Sequence, residues 1–573
     1  MAYSPTSTPT IHSSSNESHQ RLSSRVASKI SRFFQRRHRI VVVLFFTTYL
    51  LMGSAIFSDY GTPTDELLHC RIRGIIFAKQ AVNKLNIWLF DKHNAPFEAF
   101  YETYPNKDYG GIFEMMLLST EVVGGLTDAR DVTLARHAFI FFMFWLSMCL
   151  FYKLIANRFG NWRIGILGCV FLICSPRIFA DSFYNSKDIG FLCGFIFSTY
   201  SLTQFLENQT IKTAIFHAFC CAFLIDIRIM GIVVPAVTFL FLGIEWLKST
   251  QPSSGKIPAI VRNGLIYTFF LVVFTVLLWP YLWENPLENF VQSFANMSKF
   301  NRLDETQLFL GDYIHVTKMP WYYMPVWISI TTPLSYLAAF LAGVWFISHK
   351  LLKNKLALYQ NSRERFDLIC LIFFLAPLLA IIVLKSAVYD GWRHLYYTYP
   401  SFITIALMGI VSFYYYIRGT FEASTARIVI TSLSVLLAIN VFYSVYFMIQ
   451  SHPNQQVYFN ALAGKEVEKK FEMDYYGPSY RKGLTYIVET DKRSSIPVYA
   501  NFVTGKLNAS LLKPEDRKRI HYVEDPQQAS YFITNYKFEE NLKPYLAGQF
   551  PFVNEVFAVQ VGEAKVMAVY RLK

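Results

Sequence analysis

Residues 41–74 read VVVLFFTTYLLMGSAIFSDYGTPTDELLHCRIRG. The stretch opens on an uncharged apolar run and then turns to Asp59, Asp65 and Glu66, with Arg71 and Arg73 close behind. The run from about residue 40 to 58 approaches the roughly 20 residues that cross a hydrocarbon core as a helix. A polar head of about forty residues precedes it and no small-residue cleavage site follows, so it reads as a membrane helix rather than a removable leader. The acidic pair at its mouth has a plain explanation as a helix start, because TPTDELL places Pro early and acids in the first turn. The rest of the chain decides whether that explanation is enough.

The composition makes this run one of many. Of 573 residues, 53% are hydrophobic, 17% aromatic and only 16% charged; the mean hydropathy is +0.28. A formal net charge of +14 fits a polytopic membrane protein whose inner loops collect Lys and Arg, and nucleic acid is set aside as a partner. Of eight cysteines, seven lie in or beside apolar runs and only Cys70 falls in a loop. That pattern supports no disulfide framework, zinc site or redox pair.

Candidate spans fall at about 40–58, 134–156, 163–180, 188–206, 211–226, 229–247, 264–283, 325–348, 367–388, 395–417 and 426–448. Residues 1–39 are Ser/Thr-rich, end in RVASKISRFFQRRHR, and read as a disordered cytoplasmic tail with a basic end. Eleven spans from an inside N-terminus put KLIANRFGNWR, HKLLKNKLALYQNSRERF and RGTFEASTAR inside. The same count puts SDYGTPTDE, DSFYNSKD and WENPLENF outside, so the charge bias and the count agree. Two outside segments are long, 59–133 and 284–324. The first contains YGGIFEMMLLSTEVVGGL, read as a helix lying against the membrane, interrupted by Glu114 and Glu121. Residues 450–573 turn soluble in composition. GLTYIVET, IPVYANFV, RIHYVED and ASYFITN read as strands, with helix or turn pieces at LKPEDRKR and QFPFVNEVFAV. The expected architecture is a polytopic α-helical membrane domain, 40–449, followed by a small outside α/β domain.

Ionisable residues gather on the segments predicted outside. CSPRIFADSFYNSKDIGF carries Arg177, Asp181, Asn185, Lys187 and Asp188; YDGWRHLYYTYPS carries Asp390, Arg393 and His394; IDIRI adds Asp226 and Arg228. Polar groups near membrane depth are costly, so both signs of charge on one side point to a shared cavity. Carboxylates there, above all Asp65 and Glu66, suit proton transfer, and the cations suit a phosphate. The bland alternatives are headgroup contact for Arg393 and His394, a solvated cap for Asp181 and Asp188, and an interfacial aromatic belt for Tyr396, Tyr397 and Tyr399. His137, at the head of a span, reads as an ordinary buried histidine.

Taken together, TDE after the first span, SPRIFADSFYNSKDI after the third, MPWYYMPVWISITTPL at the eighth and DGWRHLYYTYPSF at the tenth resemble the GT-C superfamily of polytopic glycosyltransferases. The likeness is to the branch of dolichyl-phosphate-mannose protein mannosyltransferases and lipid A aminoarabinose transferases. It implies a GT-C-like fold and transfer of a sugar, mannose-like or other, from a polyprenyl phosphate to an acceptor hydroxyl at the non-cytoplasmic face. By position it implies Asp65 as general base, Glu66 orienting acceptor or base, and Arg393, His394 and Lys187 at the donor phosphate. Asp181, Asp188 and Arg228 support the cavity. It implies no metal and no cofactor, the lipid-linked sugar being a substrate, and an acceptor that is a protein, lipid or glycan. The C-terminal segment HPNQQVYFNALAGKEVEKKFEMDYYGPSYRKGL resembles bacterial members, favouring a bacterial inner membrane with a periplasmic site over the endoplasmic reticulum. The alternative reading is a transporter or flippase of lipid-linked sugars. That class tends to show matching halves and midplane sites, where this chain gathers its charges at one face.

Overall fold

The structure is a computed structural model that describes residues 38–248, 258–298, 304–537 and 548–573. The expected N-terminal tail therefore lies almost wholly outside the described residues. The chain divides into two compact units, Met1–Gly53 and Ser54–Lys573. Of the first, residues 38–53 belong to the helix His38–Ile56, where the rings of Phe45 and Phe46 meet edge to face at 5.2 Å.

Each of the eleven expected spans contains helix, but 163–180, 264–283 and 325–348 are interrupted and the helix in 367–388 ends at Leu384. Among the described residues, nine helices are long and apolar enough to cross a membrane, or ten if one bent pair is a single span. That pair is Trp162–Ile173 and Pro176–Tyr184, which meet at 75°. The bend has a local cause: a residue before proline avoids the helical region, and Ser175 sits at φ −96°, ψ 99°. The same chemistry breaks the expected 325–348 span, where Pro333 separates Tyr323–Thr331 from Leu334–Asn354. The segment at 211–227 forms a helix of 17 residues, shorter than the other spans.

The helices Leu334–Asn354 and Tyr399–Thr420 approach more closely than side chains allow. A Cβ on Gly343 would lie 2.0 Å from the Ile405 carbonyl oxygen, and one on Gly409 would lie 2.0 Å from that of Ala339. Small residues at such crossings replace the hydrophobic drive that helices lack in lipid. Gly409→Ala is expected to push the pair apart and cost about 1–3 kcal/mol, read as a lower melting temperature in detergent. At the end predicted inside, Arg158 forks onto Asp367, and Arg365 bonds Glu245 at 2.7 Å.

The segment 59–133 is largely helical: Ile72–Phe90, Ala95–Thr103 and Ile112–Val123. Its apolar side closes over Ile76, Phe77 and Tyr101. Glu114 and Glu121, which interrupt the apolar pattern in sequence, are buried on the inner side of Ile112–Val123. The segment 284–324 holds the helix Pro286–Ser298 and a hairpin, β1 (Thr306–Phe309) against β2 (Asp312–His315).

The C-terminal domain is a five-stranded sheet: β3 (Ile496–Ala500), β4 (Ile520–Tyr522), β5 (Tyr531–Thr534), β6 (Glu555–Val561) and β7 (Ala564–Arg571), in the order β4-β3-β5-β7-β6. β3 runs parallel to β4 and β5, and β7 runs antiparallel to β5 and β6. Two expectations are corrected. GLTYIVET lies in a helix, Tyr480–Thr490, whose Leu484, Ile487 and Val488 bury at helical spacing into the sheet core. The end of QFPFVNEVFAV is strand β6 rather than helix or turn, and β7 was not anticipated. In β7 alternation is blurred, because this inner strand is covered on both faces and carries apolar residues on both, whereas β6 lies at the sheet edge and is only partly buried.

Candidate active site

Pro63 ends the extended segment after the first span, and the next helix begins at Thr64. From Glu66 to Arg71 its turns are widened into a π-helix before the regular helix starts at Ile72. Such widened turns redirect neighbouring side chains and cluster at functional sites. Here Glu66 and Cys70 are buried, whereas Asp65 is half-buried.

Asp65 accepts no hydrogen bond among the described residues. Burial works against its charge, but Lys187, Arg393 and His69 outweigh burial and hold its carboxyl below the usual carboxylate range, with Asp188 opposing them. Lys187 is also half-buried, and its ammonium donates no hydrogen bond among the described residues. It lies 5.5 Å from the centre of the Tyr109 ring, and the Arg73 guanidinium lies 5.2 Å from the same ring. Among the described residues neither Asp65 nor Lys187 makes a side-chain hydrogen bond or close ion pair, and Lys187 is the strongest of the cationic influences on Asp65.

For Glu66 the expectation is that it orients acceptor or base. It is buried among partners: Arg136 Nε at 3.2 Å and His137 Nε2 at 3.0 Å. Arg136, fully buried, also reaches Glu114 at 2.7 Å and Glu121 at 3.4 Å. Arg71 bonds Glu121 at 2.9 Å and Ser186 donates to Glu114 at 2.6 Å. This network ties the helix carrying Asp65 to the spans Ala129–Phe159 and Ser186–Glu207. Glu66 is therefore a support for its neighbour, and His137 is a member of the same network rather than an isolated core histidine.

Asp188 is the hub of a second network. It accepts from the Arg228 guanidinium, from Asn185 Nδ2 at 2.9 Å, from the Tyr476 hydroxyl at 3.1 Å and from Arg393 Nη1 at 3.4 Å. Arg393 also bonds Asp390 at 3.1 Å, with the Tyr389 and Tyr476 rings 4.8 and 5.1 Å away. Asn185 links Asp188 to Asp181, whose other oxygen is buried without a partner. Asp226 caps the helix Ile112–Val123 by accepting from the Ile112 N–H at 2.7 Å. Lys385 stands exposed at a helix end. Tyr396, Tyr397 and Tyr399 are buried, not an interfacial belt; the Tyr399 hydroxyl meets Ser175 at 2.8 Å.

Among the described residues, several buried nitrogens in this region have no hydrogen-bond partner: Nε of Arg73, Arg228 and Arg393, and Nδ1 of His394. Buried donors are almost always satisfied, and leaving one unmet costs about 1–3 kcal/mol. Together with Lys187 the guanidinium groups form a positive surround suited to an anion such as a phosphate. Sequence reasoning missed Arg73, Tyr109, Arg136, Tyr476 and the C-terminal Lys537. The signal for Arg136 was present, since a cation within an apolar span requires a buried carboxylate partner and Glu114 and Glu121 precede it.

No family model and no curated protein matches the chain. Among solved structures, ArnT from Cupriavidus metallidurans in the apo state aligns with 92% of this chain and 97% of its own, at 11% identity and a TM-score of 0.46. The Archaeoglobus fulgidus oligosaccharyltransferase in the apo form aligns with 85% of this chain and 65% of its own, at 10% identity and 0.41. Arabinofuranosyltransferase AftD from Mycobacteria aligns with 87% of this chain and 36% of its own, at 11% identity and 0.39.

Proposed function

We propose that this chain is an integral membrane glycosyltransferase that moves a sugar from a polyprenyl-phosphate donor to an acceptor hydroxyl at the non-cytoplasmic face. The observation that carries this reading is the unpaired Asp65 carboxylate beside the unpaired Lys187 ammonium, ringed by buried guanidinium groups with free N–H donors. The likeness of its loop motifs to GT-C enzymes and the acidic bias of the loops bearing the site support it further.

In this mechanism Asp65 accepts the proton of the acceptor hydroxyl as that oxygen attacks the anomeric carbon. The bond from the anomeric carbon to the phosphate oxygen breaks, and the electron pair leaves with polyprenyl phosphate. Lys187, Arg393 and His394 meet the charge that grows on that phosphate. Asp188 and Asp390 fix Arg393 between them, and Asn185 holds Asp188. Because its cationic neighbours keep Asp65 ionised, the base is ready at neutral pH. Acidification removes it only below the usual carboxylate range, so the acid limb due to Asp65 falls there.

Lys187→Met tests the phosphate contact. Loss of a charge-assisted bond costs about 1.5–3 kcal/mol, so donor affinity is expected to fall about ten- to hundredfold. The measurement is the donor concentration dependence of polyprenyl-phosphate release; an unchanged dependence removes Lys187 from the donor site. Counterflow of labelled lipid-linked sugar in proteoliposomes, without bond cleavage, would instead establish a transporter.

A further inference from the structure

The C-terminal domain reaches into the site just described. Asn508 pairs with the Thr62 peptide, its Oδ1 accepting from Thr62 N–H at 3.0 Å and its Nδ2 donating to Thr62 C=O at 3.0 Å. Arg481 donates to the Tyr60 carbonyl at 2.8 Å, and the Thr64 N–H donates to the Tyr476 carbonyl at 3.2 Å. Gly61 leaves no room for a side chain, since a Cβ there would lie 2.1 Å from the Pro478 carbonyl oxygen. The extended segment that delivers Asp65 is thus gripped by residues from the far end of the sequence.

The second point of entry is Lys537, which follows β5 and is buried. Its ammonium lies 3.3 Å from Asp390 Oδ1 and donates to the Tyr475 carbonyl at 3.1 Å. Burial disfavours that charge, and the carboxylates of Asp390, Glu472 and Glu305 more than offset it. Asp390 turns its other oxygen to Arg393 at 3.1 Å. One carboxylate is therefore shared by a cation of the C-terminal domain and a cation of the site. Its backbone is left-handed, φ +54°, followed by Gly391 at φ +70°. That turn is held by Gln307 Oε1, which accepts from the Asp390 N–H at 2.7 Å, and by the Tyr323 hydroxyl, which accepts from the Gly391 N–H at 3.1 Å. A non-glycine residue in that region costs free energy and persists only where its surroundings enforce it.

We propose that the C-terminal domain is a working part of the reaction centre, and that Lys537 is a positioning residue that acts through Asp390 to keep Arg393 available to the donor phosphate. The inference rests on the donor-phosphate reading above. Its physical basis is charge sharing in a buried, weakly screened setting. With Lys537 present, Asp390 divides its attraction between two cations. Without it, the full carboxylate charge bears on Arg393, draws the guanidinium toward Asp390 and weakens its field on a phosphate.

The test uses the purified full-length chain in detergent and undecaprenyl phosphate as probe, with affinity and melting temperature recorded for each variant. Lys537→Met is expected to weaken binding about tenfold. Lys537→Arg, which restores the charge, is expected to recover most of that loss. The double variant Lys537→Met/Asp390→Asn removes the carboxylate that draws on Arg393 and is expected to bind more tightly than Lys537→Met alone. A residue that only braces the domain would not be rescued by deleting its partner's charge. Wild-type affinity in Lys537→Met, or a double variant no better than the single, overturns the proposal. Should Lys537→Met fail to fold, a Lys537→Arg variant that folds yet binds as weakly as an uncharged site overturns it as well. Failure of the wild type itself to bind the probe overturns the donor-site reading, and this inference with it.

Discussion

Asp65→Asn is expected to lower turnover by about a hundred- to ten-thousand-fold, the range spanned by a lost general base. The substitution keeps the side chain's size and removes only its ability to take a proton. It leaves the Glu66–Arg136–His137 network untouched, so the melting temperature should stay near that of the wild type. It also removes the negative charge beside Lys187 and Arg393. Donor phosphate binding should therefore persist or tighten while turnover falls, a split that separates a lost base from a damaged site. Initial rates of polyprenyl-phosphate release alongside donor affinity check both halves. Near-normal turnover in this variant removes Asp65 from the chemistry.

The largest stability effect is expected at Arg136. Its guanidinium is fully buried and bonds Glu66, Glu114 and Glu121. Removing one side of a buried ion network leaves charges with neither water nor a counterion, which costs about 3–5 kcal/mol. Arg136→Met leaves three buried carboxylates with Arg71, His137, Ser186 and Thr62 as their remaining hydrogen-bonding partners among the described residues. Against a typical total stability of about 5–15 kcal/mol, this should show as poor accumulation and a sharply lower melting temperature in detergent. Lys keeps the charge but not the planar fork, so Arg136→Lys should recover only part of the loss. A fully stable Arg136→Met protein would mean that the acids are satisfied in some other way.

Much of this was readable in the residues. The spans were legible because an apolar run of sufficient length has few alternatives, and the positions of the chemistry-bearing loops followed from the spans. Asp65, Lys187 and Arg393 stood out because charge is rare in such a chain, and the structure brings them together. The roles within the charged set were less legible. Glu66 adjoins Asp65 in sequence, but the widened turn at Glu66–Arg71 directs it into a buried network, and no local pattern announces such a turn. Lys537 and Tyr476 meet Asp390 and Asp188 across tertiary contacts that no spacing encodes. The helix Tyr480–Thr490 was misread because GLTYIVET is rich in β-branched and aromatic residues, while its burial follows the helical positions Leu484, Ile487 and Val488.

Sugar transfer from a lipid phosphate with Asp65 as base has a direct consequence for product release. The most direct measurement is release of polyprenyl phosphate from a panel of polyprenyl-phosphate sugars by the purified protein, with Asp65→Asn alongside, in the presence and absence of a membrane-envelope extract as acceptor. Release is expected from at least one donor with the wild type, dependent on the extract and absent in the variant. Equal release by the variant, or none from any donor with the wild type, would contradict this mechanism.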